Sequence, residues 1–242
     1  MKSLINKVAV LAGANGGIGS AVALSLAQEG CNLVLLARNG EQLQQTADEI
    51  KSLTDCKVLV CPTDLSSFAA VQQTIARIQR VFKRVDILYN GVAGRLEDSI
   101  FEANPEEIGY FIQSTLTGTI WLTQGLLPLM PGSEAHIVNM ITDWAMPNTS
   151  GPSTFVAGKY GLLGFGQALS KEALPRGVRV TNILPGDVAS NLPLQKNTEE
   201  VVETYGVSKI PLSDIVNVIL LCLKLELAKI DQLVLTPVDP EY

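Results

Sequence analysis

The most constraining stretch of the chain is an apolar run, Val8-Ala9-Val10-Leu11-Ala12, that leads into Gly13-Ala14-Asn15-Gly16-Gly17-Ile18-Gly19. A strand turns directly into a helix most readily through residues that tolerate positive φ, and glycine does so without a Cβ clash. The missing side chains also let a bulky anion approach the backbone. The first turn of the next helix then presents unpaired N–H groups at the positive end of its dipole. A helical segment at 18–29 follows, and a second apolar strand at 32–37 completes a βαβ unit. Such a unit is built to hold the pyrophosphate of a dinucleotide, with Gly13, Asn15, Gly16, Gly17, Ile18 and Gly19 as the cradle.

The alternation continues along the chain. Further strands are expected at 57–61, 85–89, 135–141, 179–184 and 232–236, the first one occupying 7–12. Helices are expected at 40–53, 67–83, 105–130, 153–174 and 213–227. Near-continuous apolar strands suit a parallel sheet covered on both faces. The expected fold is α/β, a single doubly wound Rossmann-type domain over 1–242 with a seven-stranded parallel sheet. The glycine loop, Asp64, Asn90, Thr142 and Pro185-Gly186 all follow strand ends, where such a sheet binds its ligand.

At the end of the second strand the chain reads Ala37-Arg38-Asn39, with no acid to accept a hydrogen bond from a ribose 2′-OH. An arginine there can pair with a 2′-phosphate, which favours NADP(H) over NAD(H); the plainer reading is a solvated surface arginine. A net charge of −6 argues against nucleic acid or an anionic membrane as partner. Cys31, Cys56, Cys61 and Cys222 show no CxxC spacing and read as reduced thiols. His136, the single histidine, reads as structural, and no metal site is expected. No apolar run approaches the ~18 residues of a spanning helix, and the first strand begins too early to leave room for a signal peptide. A cytoplasmic protein acting on a small molecule is expected.

These spaced residues resemble the short-chain dehydrogenases/reductases over nearly the whole chain. Gly13, Gly17 and Gly19 match that family's TGxxxGxG loop, with Ala12 in place of the threonine. Asp64-Leu65 matches the position that contacts adenine, and the stretch from Asp86 to Ala93 matches D-I-L-V-N-N-A-G, keeping Asn90. Pro185-Gly186, with Val188 and Ser190, is similar to the turn beside the nicotinamide, Ser190 standing in for a threonine that anchors the carboxamide. In the family a tyrosine protonates the substrate oxygen, a lysine lowers its pKa and holds the nicotinamide ribose, a serine orients the carbonyl and an asparagine supports a water relay. The resemblance puts Phe155 at the tyrosine, Lys159 at the lysine, Thr142 at the serine and Thr115 at the asparagine.

A phenyl ring has no proton to give. The resemblance thus implies an NADP(H)-binding oxidoreductase of atypical mechanism for a small or medium apolar carbonyl- or imine-like substrate. Thr142, water or the substrate would donate any proton needed, and an iminium carbon needs none. The alternative is a non-redox cyclase or isomerase, or a pseudoenzyme that retains the cofactor cleft. Asp143 could donate a proton if burial raised its pKa, although a solvated or capping role suits it better. Tyr160 points away from Lys159 on a helix and reads as packing or interface. Phe155, Trp144, Met146 and Phe101 either line an apolar pocket, which the loop 95–104 would help to shape, or belong to the core. Residues 191–213 read as a substrate lid. Gly118, Gly161 and Gly164 lie on helices that in resembling proteins build homodimers and homotetramers.

Overall fold

The chain alternates strand and helix as β1 (Val8–Ala12), α1 (Gly17–Gln28), β2 (Asn32–Ala37), α2 (Gly40–Leu53), β3 (Val58–Pro62), α3 (Phe68–Phe82) and β4 (Ile87–Asn90). It continues through α4 (Pro105–Ile112), α5 (Gly118–Leu126), β5 (His136–Met140), α6 (Ser153–Glu172), β6 (Arg179–Pro185), α7 (Thr198–Tyr205), α8 (Leu212–Lys224) and β7 (Gln232–Leu235). This is a computed structural model, and it describes residues 1–92, 94, 98–147, 151–191 and 198–239. The strands form one sheet in the order β3-β2-β1-β4-β5-β6-β7, every neighbouring pair parallel. The expected seven-stranded, doubly wound sheet is therefore present.

Alternate side chains of each strand serve opposite faces. Leu11, Leu33, Leu35 and Val138 pack with Leu24 of α1, Leu43 of α2 and Ile215 and Ile219 of α8. Val10, Val34, Leu36 and Ile137 face the other way, against Val71 and Ile78 of α3 and Leu122 and Leu126 of α5. Each such leucine or isoleucine contributes roughly 1.5–3 kcal/mol on burial. Because both faces are covered, the strands read as unbroken apolar runs. Strand order reverses between β1 and β4, which opens a crevice at their C-terminal ends.

Two elements differ from expectation. The helix expected over 105–130 is divided: α4 and α5 flank a π-helical turn, Gln113–Thr117, and a 3₁₀ turn, Leu127–Leu129, follows. Close packing coincides with the division. A Cβ on Gly118 would lie 2.1 Å from Leu65 O, so α5 sits against the backbone that follows β3. The second difference is α7, which lies within 191–213, where no helix is expected before residue 213.

A polar row crosses the sheet interior. Asn90, Asn139 and Asn182 are in register on β4, β5 and β6. Asn90 Nδ2 donates to Asn139 Oδ1 at 2.9 Å, and Asn139 Nδ2 donates to Asn182 Oδ1 at 3.0 Å. Gly166 of α6 packs onto the row, where a Cβ would come within 2.0 Å of Asn182 Oδ1.

Candidate functional site

The glycines after β1 answer to different demands. Gly13 has φ +83°, and a Cβ there would meet Gly91 O at 2.5 Å. Cβ atoms on Gly17 and Gly19 would lie 2.0 Å from Ser190 O and Gly13 O. These three are dictated by the protein's own packing. Gly16 is not: its backbone is extended, and a Cβ would meet only Gly13 O, at 3.6 Å. The open side of Gly16 faces a cleft of about 530 Å³ along the C-terminal ends of β1 and β2.

Helix α1 begins under this opening with no side-chain cap and no acid in its first turn. By contrast, Asn39, Ser67 and Asn104 cap α2, α3 and α4. The first amides of α1 thus keep donors for an anion. Asn15 Nδ2 donates to Gln42 Oε1 at 3.0 Å, tying the loop to α2.

At one end of the cleft stand Arg38, Asp64 and Tyr110. Arg38 is exposed, its guanidinium 5.2 Å from the centre of the Tyr110 ring. Three donors converge on Asp64 Oδ1: Ser66 N at 2.9 Å, Ser66 Oγ at 2.8 Å and Tyr110 Oη at 3.1 Å. Burial alone would raise the Asp64 pKa, but these hydrogen bonds and the nearby Arg38 charge outweigh it and hold the carboxyl below its ordinary range. Oδ2 accepts none of the three.

Outside the lining of this cleft, Lys159 on α6 is 2% exposed, and Nζ donates to Met140 O at 3.4 Å. Burial lowers its pKa to about 8. Its ammonium lies 5.8 Å from the centre of the Phe155 ring. Phe155 stacks on Phe111 of α4 at 5.4 Å and meets the edge of Trp144 at 5.8 Å. The Thr142 hydroxyl, at the end of β5, donates to Asp143 Oδ1 at 3.2 Å and accepts from Trp144 N at 3.3 Å. Thr115 sits in the π turn, fully buried, its Oγ1 without a hydrogen-bond partner among the described residues. Turns of this kind recur at functional sites.

The structure brings Gly13, Asn15, Gly16, Gly17, Ile18, Gly19, Arg38, Asp64, Leu65 and Ser190 to one cleft. Thr142, Phe155 and Lys159 gather around the aromatic group beyond it. Pro185 and Gly186 close β6, and Val188 bridges to Ile210. Asn90 departs from its expected place. Its side chain is 1% exposed and turned toward Asn139 and Thr123, so the cleft is lined there by Gly91 and Val92 instead. The apolar group is also smaller than expected: Phe101 is 95% exposed, and Met146 packs with Ile141, Leu162 and Leu184.

Tyr160 is exposed, and His136 is buried beside Thr181 with its pKa lowered to about 3 by burial. No group of potential metal ligands occurs among the described residues. Sequence reasoning missed Tyr110, Gln42 and Phe111, whose only signal was their phase on an amphipathic helix. Parts of the proposed lid (192–197) and of the loop 95–104 (95–97) lie outside the described residues.

Residues 7–201 match the short chain dehydrogenase family. The chain belongs to that family. An uncharacterized oxidoreductase of Staphylococcus aureus (strain USA300) is 34% identical over 189 residues, 78% of this chain and 80% of the relative. One of Staphylococcus epidermidis is 30% identical over 200 residues, 82% of this chain and 84% of the relative. A metagenomic short-chain oxidoreductase solved with NADP shares 26% identity at a TM-score of 0.81, covering 98% of this chain and 100% of its own. An alcohol dehydrogenase from Thermococcus sibiricus, solved with 5-hydroxy-NADP, has the same fold at a TM-score of 0.84 and 24% identity, covering 98% of this chain and 99% of its own. Among the described residues no helix is long and apolar enough to cross a membrane.

Proposed function

We propose that the protein binds NADP(H) and acts as an oxidoreductase of atypical mechanism on small or medium apolar carbonyl- or imine-like substrates. The observation that carries this reading is the uncapped start of α1 beneath the open side of Gly16, continuous with exposed Arg38. The α1 amides would take the pyrophosphate, Arg38 the 2′-phosphate, and Asp64 Oδ2 the adenine amino group. Ser190 would hold the carboxamide and Lys159 the nicotinamide ribose. A bound nicotinamide supplies or accepts hydride. That several fold neighbours were solved with NADP supports the same assignment.

Lys159 fits this role energetically. A buried ammonium with one carbonyl partner is under-satisfied, and two ribose hydroxyls would complete its hydrogen bonding. Phe155, at the position of the family's tyrosine, cannot protonate an alkoxide, and such a donor is worth ~10²–10⁴-fold. Its ring instead joins Phe111 and Trp144 in an apolar wall suited to an apolar substrate. Thr142 would orient the substrate oxygen, and the unpartnered Thr115 hydroxyl offers a place for a relay water. A lid over 191–213 and a homodimer or homotetramer belong to the same proposal.

The second reading, a non-redox cyclase or isomerase or a pseudoenzyme, draws on that aromatic wall standing where an acid would be. Purified protein mixed with NADPH and a panel of ketones, enones and iminium salts separates the two. Consumption of NADPH with any of them supports oxidoreduction. Binding of NADPH without turnover across the panel and across pH removes it.

A further inference from the structure

We propose that Asp143 is the proton donor of this site, acting on the substrate oxygen through the Thr142 hydroxyl. The proposal rests on the redox reading above and supplies the acid that Phe155 cannot.

The geometry carries it. Asp143 follows β5 in a short 3₁₀ turn, half-buried, with Thr142 Oγ1 3.2 Å from its Oδ1. Its other oxygen rests against the turn that closes β6, because a Cβ on Gly186 would come within 2.9 Å of Oδ2. The carboxyl is thus wedged between the hydroxyl expected to orient the substrate and the turn expected to border the nicotinamide. A side chain at 186 would push it out.

A count of donors and acceptors shows what protonation does. With Asp143 ionised, the single Thr142 proton is spent on Oδ1, and none is left for a substrate. With Asp143 protonated the same contact runs in reverse. Thr142 Oγ1 then accepts from Asp143 and from Trp144 N, and its own proton is free to point outward. Burial raises the pKa of Asp143; the bonds from Thr142 and Trp144 N oppose that, Asp187 adds to it, and the net shift is upward. Asp187 lies in the turn after β6 and pairs with Lys209 at 3.3 Å. On α6, Lys159 hydrogen-bonds Met140 O instead.

The step balances. A bound reduced nicotinamide would supply the hydride for the new C–H bond as the carbonyl π bond breaks. The oxygen takes the Thr142 proton, Thr142 takes the Asp143 proton, and the carboxylate recovers its own from water. The ketone would thus become an alcohol at the expense of two electrons from the reduced nicotinamide.

The test compares NADPH-dependent reduction of cyclohexanone with that of a dihydroisoquinolinium salt, whose carbon needs no proton at oxygen. In Asp143→Asn the ketone-to-iminium rate ratio should fall about a hundredfold. The wild-type decline of ketone reduction with rising pH should flatten in that variant. Infrared spectra should also show a protonated-carboxyl band that persists above the ordinary aspartate range and is missing from Asp143→Asn. An unchanged ratio and pH profile, or no such band, overturns the proposal. Should Asp143→Asn fail to fold, the wild type decides: a protonated-carboxyl band that titrates together with the decline of ketone reduction supports the proposal, and absence of the band overturns it. A wild type that binds NADPH yet reduces neither compound brings down the redox reading and the acid with it, whereas an unaltered variant brings down the acid alone.

Discussion

Phe111 and Phe155 lie nearly face to face, ring centres 5.4 Å apart and planes 29° from parallel. Gly158 makes room for them, since a Cβ there would come within 2.5 Å of Phe111 Cε1. The pair holds the Phe155 ring beside Lys159, whose ammonium lies 5.8 Å from the ring centre.

If the remaining machinery is aligned, Phe155→Tyr adds a phenol beside an amine that already titrates near 8. Ketone reduction should rise ~100-fold, within the range for a positioned general acid. Steady-state NADPH oxidation measures it. No gain would mean that the ring does not face the substrate.

Gly16 and Gly19 should separate binding from folding. Gly19→Ala puts a Cβ 2.0 Å from Gly13 O and should cost about 1–3 kcal/mol in urea unfolding, despite alanine's better helix propensity. Gly16→Ala meets nothing closer than 3.6 Å, so its stability should stay near wild type. NADPH affinity, read by fluorescence titration, should nonetheless weaken about tenfold, or ~1.4 kcal/mol, because the methyl enters the pyrophosphate's space.

Arg38→Ala should weaken NADPH binding by about 1.5–3 kcal/mol, the usual worth of a hydrogen bond to a charged group, and leave NADH binding near wild type. Calorimetry with both nucleotides checks this. Equal losses for the two would remove the 2′-phosphate role.

Lys159 makes the fold pay for its site. Below pH of about 8 both folded and unfolded states hold the proton, and the folded state bears the full cost of a buried charge. Between about 8 and 10.5 the unfolded state binds more protons, so stability rises with pH. Lys159→Met should therefore be more stable than wild type by about 3 kcal/mol at neutral pH, with the gap closing toward pH 10.5. Urea midpoints across that range test it.

His136 should govern stability on the acid side. Its pKa falls from 6.5 to about 3 on folding, so the unfolded state takes up a proton that the folded state refuses. Stability is complete above 6.5 and is lost as pH falls toward 3. Between about pH 7 and pH 5 the loss attributable to this group should be roughly 2 kcal/mol. In His136→Gln that slope should shrink, as followed by urea unfolding.

The alternation of strand and helix, the seven-stranded parallel sheet and the glycine turn after β1 were legible in the chain itself, because they depend on local rules. Apolar runs covered on both faces, glycine at a positive φ and an uncapped helix start all leave their mark within a few residues. Distant packing left no such mark. The break in the helix over 105–130 coincides with Gly118 pressing on the backbone at Leu65. Asn90, a cleft residue by motif, is drawn into the sheet by Asn139 and Asn182, which stand in register only once three strands are assembled. The contacts Phe155 makes with Phe111, and Asp143 with Gly186, join segments more than forty residues apart in the chain. Local sequence therefore determined the glycine turn and the strand ends that frame the cleft, while only the assembled tertiary structure decided which side chains gather beside Lys159, because their contacts join segments far apart in the chain.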